Sequence, residues 1–141
     1  MAGAAKVAGA RPSDGRQLIF AAHKVSLVVS TGPENDMLSY RIGRLRNPTI
    51  VVRRGAILDI TFINTDGDMV HDLRFTKQSP PFGAQPERSK SVGSRALPHV
   101  SADRDYAERI LVRAGAAGRY TYFCTMKGHA KGGMYGTLIV R

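Results

Sequence analysis

Residues 119–140 read RYTYFCTMKGHAKGGMYGTLIV, and the order of residue types in this stretch decides the fold. Tyr120, Tyr122 and Cys124 alternate with Arg119, Thr121 and Phe123. Successive strand side chains point to opposite faces, so the two tyrosines and the cysteine share one face and Cys124 ends an inward-pointing row. Gly136–Val140 is a second β-type run. Between the two lies the pattern Cys124-x4-His129-x4-Met134, with Gly128, Gly132 and Gly133 inside it, and glycine accepts backbone angles closed to other residues. A loop that leaves one strand and re-enters another in this way can aim a thiol, an imidazole and a thioether at one point.

Outward from this stretch, short β-type runs alternate with turn signals. The runs are Leu18–Phe20, Val25–Ser30, Leu38–Ile42, Thr49–Val52, Ile57–Asn64, Val70–Thr76, Ala107–Val112 and Arg119–Thr125, with Gly136–Val140 last. Thr31-Gly32-Pro33, Asn47-Pro48, Arg54-Gly55, Asp66-Gly67 and Gly115–Gly118 separate them, each rich in residues that favour turns. About eight strands at this spacing predict an all-β, two-sheet sandwich. Ser79–Ser101 holds Pro80, Pro81, Pro86 and Pro98 and little periodicity, so it is expected to cross the surface as a long connection with room for one short strand or helical turn. Residues 1–16, Ala/Gly-rich with interspersed basic residues, are expected to form a flexible arm before a single domain over 17–141.

With 141 residues and 43% hydrophobic content, one domain closes a core without disulfides, and the single Cys124 rules out an intramolecular one. Its thiol is left as packing, nucleophile or metal ligand. Twenty-one Lys and Arg against 11 Asp and Glu give a net charge of +10, which admits nucleic acid, an anionic membrane or an acidic protein as partner. The basic residues are scattered singly or in pairs and lack interleaved exposed aromatics, which argues against nucleic acid. No apolar run reaches the roughly 20 residues needed to span a bilayer. The N-terminal stretch lacks the continuous apolar core of a signal peptide.

Cysteine, histidine and methionine on one loop match a particular chemistry. A thiolate and two imidazoles in a trigonal set, with a distant thioether, suit both Cu(I) and Cu(II). The second imidazole must come from elsewhere, and His71, beside a β-type run in Met69-Val70-His71-Asp72, is the candidate. The metal set is therefore His71, Cys124, His129 and Met134, for one copper per chain. A lone cysteine at a strand end is ordinarily a buried small hydrophobe, but the spaced His and Met behind it favour a ligand. His23 is expected in a strand and His99 in a loop, away from the metal. Met37, Met69 and Met126 are assigned to packing around the site, and Phe75, Phe82 and Tyr135 to its core or rim.

These motifs, together with Asn47-Pro48-Thr49-Ile50, Phe62-Ile63-Asn64-Thr65 and Thr76-Lys77-Gln78-Ser79-Pro80-Pro81-Phe82, resemble the cupredoxins, the type 1 blue copper proteins, and within them the rusticyanin-like branch. The similarity runs from about Pro48 to the C-terminus. It implies a Greek-key β-sandwich, an extracytoplasmic, periplasmic setting, and electron exchange with a cytochrome or a membrane oxidase component. The chain departs from the branch before Pro48, so acid stability is not carried over. Asp72 also follows His71 where the family commonly has Ser or Asn, and an ionised carboxylate there favours Cu(II), so a high potential is not carried over either.

Three rival functions stand beside this reading. Multicopper oxidases and copper nitrite reductases link two coppers through a His immediately before the Cys ligand, whereas residue 123 is Phe and no His-x-His pair occurs. A copper-trafficking protein would offer an accessible, exchangeable site rich in Met or His. A cysteine enzyme would need a pairing geometry for His129 that no local motif supplies. The expectation is a monomeric electron carrier, not an enzyme, whose positive surface meets an acidic redox partner.

Overall fold

The β-branched and aromatic runs form strands wherever one face can be buried, and burial alternates along the longer β3 and β7. In the computed structural model, which describes residues 7, 9–11, 16–102 and 104–141, these strands are β1 (Ala10–Arg11), β2 (Gln17–Phe20), β3 (Lys24–Thr31), β4 (Tyr40–Ile42), β5 (Leu45–Arg46) and β6 (Thr49–Val52), followed by β7 (Ile57–Asn64), β8 (Arg74–Thr76), β9 (Val92–Gly93), β10 (Tyr106–Arg113), β11 (Gly118–Phe123) and β12 (Tyr135–Val140). In β3, Val25, Leu27 and Val29 face inward while Lys24, Ser26 and Val28 face solvent; β7 does the same with Leu58, Ile60 and Phe62.

Two sheets pack face to face. One runs β1-β2-β6-β12-β11-β8-β9 and the other β10-β7-β3-β4-β5. Pairing is mostly antiparallel, with parallel ladders at β2/β6, β6/β12 and β3/β7. Their inner faces bury Leu18, Ile50, Leu58, Ile60, Phe62 and Tyr122 in one core that also contains Cys124 and Met134. This is the all-β, two-sheet sandwich that the strand spacing predicts.

Where the boundaries differ, side chains have taken over backbone work. Val70–Thr76 is predicted as one strand, yet only Arg74–Thr76 pairs with β11. His71 makes a single bridge with Leu97, exchanging N–H···O bonds of 3.2 and 2.8 Å, and the Leu73 amide donates to Ser94 Oγ at 2.9 Å. Ser94 therefore caps the gap between bridge and strand, and no ladder forms there. The Ser79–Ser101 connection carries both a 3₁₀ turn, Arg88–Lys90, and β9. Most of the expected N-terminal arm lies outside the described residues; within it, Ala10 and Arg11 pair with Phe20 and Ile19.

Candidate metal centre

β11 ends at Phe123, and the chain re-enters β12 at Tyr135 after a loop wound into successive turns. His129 N–H donates to Met126 O, Gly132 N–H to Gly128 O, Gly133 N–H to Ala130 O and Met134 N–H to His129 O, each at 3.0 Å, and the Cys124 amide reaches Met134 O at 3.3 Å. The winding needs left-handed backbone at Gly128 (φ +80) and Gly133 (φ +110), where a Cβ would be strained. Neighbouring segments clamp the loop: Gly128 N–H donates to Ala84 O at 2.6 Å, and Gln85 Nε2 to Thr125 O at 3.2 Å. Asn47 accepts from Tyr40 N–H at 2.7 Å and donates to Gly133 O at 3.4 Å.

Three side chains converge. Cys124 Sγ lies 3.3 Å from His129 Nδ1 and 3.8 Å from His71 Nδ1, and all three ligand atoms fall within 4.8 Å of one another. Cys124 and His71 are fully buried, whereas His129 is partly exposed at the molecular edge. Met134, 0% exposed, closes the loop and packs in the same core cluster as Cys124. Phe123 points the opposite way, into a second cluster in which Phe82 stacks on it at 5.0 Å and meets Tyr135 edge-on at 5.7 Å.

Asp66 and Asp72 complete the electrostatics. Asp66 Oδ2 lies 2.6 Å from His71 Nε2, and Oδ1 accepts from the amides of Asp68 and Met69 at 2.8 and 3.2 Å. Burial pushes the Asp66 carboxyl up, but the bonds from His71, Asp68 and Met69 outweigh it and hold its pKa below the usual value. An ionised acceptor at Nε2 fixes the proton there and leaves Nδ1 of His71 as a lone pair facing the thiol. Burial lowers the pKa of His71 against the pull of Asp66, and burial and then His71 lower that of His129. Burial, reinforced by Asp72, pushes the Cys124 thiol up to about 12. Asp72 itself accepts from Thr125 N–H at 2.7 Å, from the Thr125 hydroxyl, and from Arg88 Nε at 3.2 Å, which ties the segment after His71 to the residue after Cys124.

Residues 27–141 match the model of a family described as copper binding proteins, plastocyanin/azurin family. The chain belongs to this copper-binding family. Rusticyanin of Acidithiobacillus ferrooxidans is 34% identical over 103 residues, which is 73% of this chain and 66% of that protein. Rusticyanin of Acidithiobacillus ferridurans is 33% identical over 103 residues, and there the chain spans 55% of the relative's length. Among solved structures, rusticyanin from Thiobacillus ferrooxidans superposes with a TM-score of 0.86 at 27% identity, covering 94% of this chain and 86% of that one. Reduced rusticyanin gives 0.81, also at 27% identity.

The donor set fits the family's metal. Two imidazoles and one thiol in a buried pocket are the softness and number that a single type 1 copper takes. The raised thiol pKa means that copper must displace a proton from Cys124 on binding.

Of the assignments away from the metal, those of His99 and Met126 find their places. His99 sits exposed in a loop with its ring on Val100 O, and Met126 packs partly buried against the core. His23 is exposed between β2 and β3 instead of within a strand, its carbonyl accepting from Ile57 N–H at 2.8 Å. Asp66 is the functional residue that sequence reasoning misses, because Asp66-Gly67 looks like an ordinary turn. One of its oxygens does build that turn, and the other reaches His71.

Proposed function

We propose that this chain carries single electrons between redox proteins on one type 1 copper, which His71, Cys124, His129 and Met134 would hold. The observation that carries this is the convergence of the buried thiol with two imidazole nitrogens at 3.3 and 3.8 Å. Copper supplies the one-electron chemistry, alternating between Cu(I) and Cu(II). The protein's part is to change little between the two states. Asp66 holds the His71 ring, Asp72 holds Thr125 beside Cys124, and the turn bonds hold His129, so the donors are pre-set before any electron arrives. The stacked Phe82 and Phe123 keep water from one flank.

His129 is the ring that reaches the molecular edge, with exposed Lys127 and Lys131 beside it. Electrons are therefore expected to pass through this edge, and the partner to be a cytochrome or a membrane oxidase component with an acidic docking surface, in an extracytoplasmic setting. The chain acts as a monomeric carrier and not as an enzyme; Phe123 stands where a second copper's ligand would be needed. Among the described residues no helix is long and apolar enough to cross a membrane.

Positive charge at the edge raises the encounter rate more than the affinity, and salt weakens it over a screening length of about 8 Å at physiological ionic strength. Stopped-flow electron transfer to an acidic cytochrome should therefore slow with added salt, and Lys127→Glu with Lys131→Glu should slow it at low salt. A rate indifferent to both would overturn the acidic docking partner and favour apolar docking around His129.

A further inference from the structure

The end of the sandwich opposite the copper collects arginines that are far apart in sequence. β6 leaves at Val52 into Arg53 and Arg54, β10 finishes at Arg113, β11 begins with Gly118-Arg119, and β12 leads into Arg141. Backbone bonds hold these strand ends together. Arg54 N–H donates to Arg141 O at 2.8 Å, Arg141 N–H to Val52 O at 2.9 Å, Gly55 N–H to Ala114 O at 2.6 Å and Ala114 N–H to Ala56 O at 2.8 Å. Arg53, Arg54, Arg113 and Arg119 are all exposed, and none has a carboxylate partner among the described residues. The carboxylates bordering this end are already engaged: Asp59 with Lys24 and Arg109, and Glu87, which lines a cavity with Arg113, with Lys90. Beside Arg53 and Arg54 a shallow depression is lined by Ile19, Phe20 and Arg141.

We infer that this basic end is a docking surface for an anionic phospholipid bilayer, on which the protein lies peripherally with its copper edge turned away. Several unpaired arginines on one end attract a negative surface potential additively, without any shaped pocket. Tyr120 is partly buried with its hydroxyl donated to Ala116 O, and Phe20 is buried, so this end has no stacking platform for single-stranded nucleic acid. Five strand residues at about 3.3 Å each set Arg119 roughly 16 Å from Cys124. A partner seated here is therefore held far from the copper, and His129 at the other end stays free for a redox protein. That separation suits a tethering surface better than an electron-exchange partner.

The test uses the copper-loaded protein and co-sedimentation with vesicles of phosphatidylglycerol mixed with phosphatidylcholine, at low salt. Binding to the mixed vesicles and none to pure phosphatidylcholine is expected. Arg53→Ser, Arg113→Ser and Arg119→Ser together should weaken it roughly 100-fold, about fivefold per arginine. The triple variant should keep its copper spectrum, which separates lost binding from lost folding, and Lys127→Ser with Lys131→Ser should bind as the parent does. No binding to the mixed vesicles, or binding lost with the two lysines and retained in the triple variant, overturns the inference. Tighter retention on duplex DNA than on the vesicles, with the same dependence on the arginines, overturns the bilayer as the partner.

Discussion

Asp66 illustrates how one side chain serves both the turn and the metal. Its amide donates to Asn64 Oδ1, one oxygen closes the turn to Asp68 and Met69, and the other accepts a hydrogen bond from His71 Nε2. As an ionised group close to the centre, it favours the more positive Cu(II). Asp66→Asn keeps an acceptor for His71 but removes the charge, so the reduction potential is expected to rise by roughly 50–100 mV, the scale of one charge at an effective dielectric of about 20. Protein-film voltammetry on parent and variant decides it; an unchanged or lower potential would mean that the carboxylate's charge is screened from the metal. The His71, Cys124, His129 convergence was legible in the sequence because residue types and loop spacing specify it. The Asp66 contact was not, since turn chemistry fully accounts for an Asp-Gly pair and the second oxygen's target depends on where β7 delivers it.

The pairing of β11 with β12 sets where the ligand loop begins and ends. Tyr122 pairs with Gly136, and its ring lies directly over that residue: a Cβ on Gly136 would meet the ring at 2.2 Å. The same ring packs on Tyr40 and Phe75, and its hydroxyl donates to Pro48 O at 2.5 Å. Glycine at 136 is therefore a requirement of packing across the ladder. Gly136→Val must push the ring off its site, and a loss of about 1–3 kcal/mol in urea unfolding is expected, the usual cost of overpacking a core. A variant as stable as the parent would show that Tyr122 can move freely, contrary to its being 1% exposed. Alternation along β3 and β7 was readable because each has one wet and one dry face, whereas β11 is buried on both faces over Thr121–Phe123. The two-residue strands β5 and β9 were not, because a strand that short has no period to read. The predicted strand over Val70–Thr76 failed for a related reason: apolar composition does not reveal that Ser94 takes the Leu73 amide.

At the scale of the molecule, the sandwich sorts its charges and its titrations. The arginines look scattered along the sequence, and only the topology gathers them at one end, so composition alone could state the net charge of +10 but not its placement. The copper end holds buried imidazoles whose pKa values fall below 6.5 through desolvation. In the unfolded chain they take up protons near 6.5, so the folded apo-protein binds fewer protons than the unfolded one there, and stability falls as pH drops through that value. Asp66, held below 3.8, adds a loss of the same sign at lower pH. Thermal unfolding of the apo-protein should therefore show Tm decreasing from about pH 7 to about pH 5. The copper-loaded protein, whose committed imidazoles take up no proton and whose Cys124 gives one up to the metal, should decrease at least as steeply over the same range. A clearly shallower decrease would mean that the metal does not displace a proton from Cys124.

The central claim, a single type 1 copper bound through Cys124, is tested most directly by absorption and EPR spectra of the copper-loaded parent beside Cys124→Ser. The parent should bind one copper per chain and show the intense visible thiolate-to-Cu(II) band, and Cys124→Ser should lose that band. A colourless parent, two tightly held coppers, or a band that survives Cys124→Ser would contradict it.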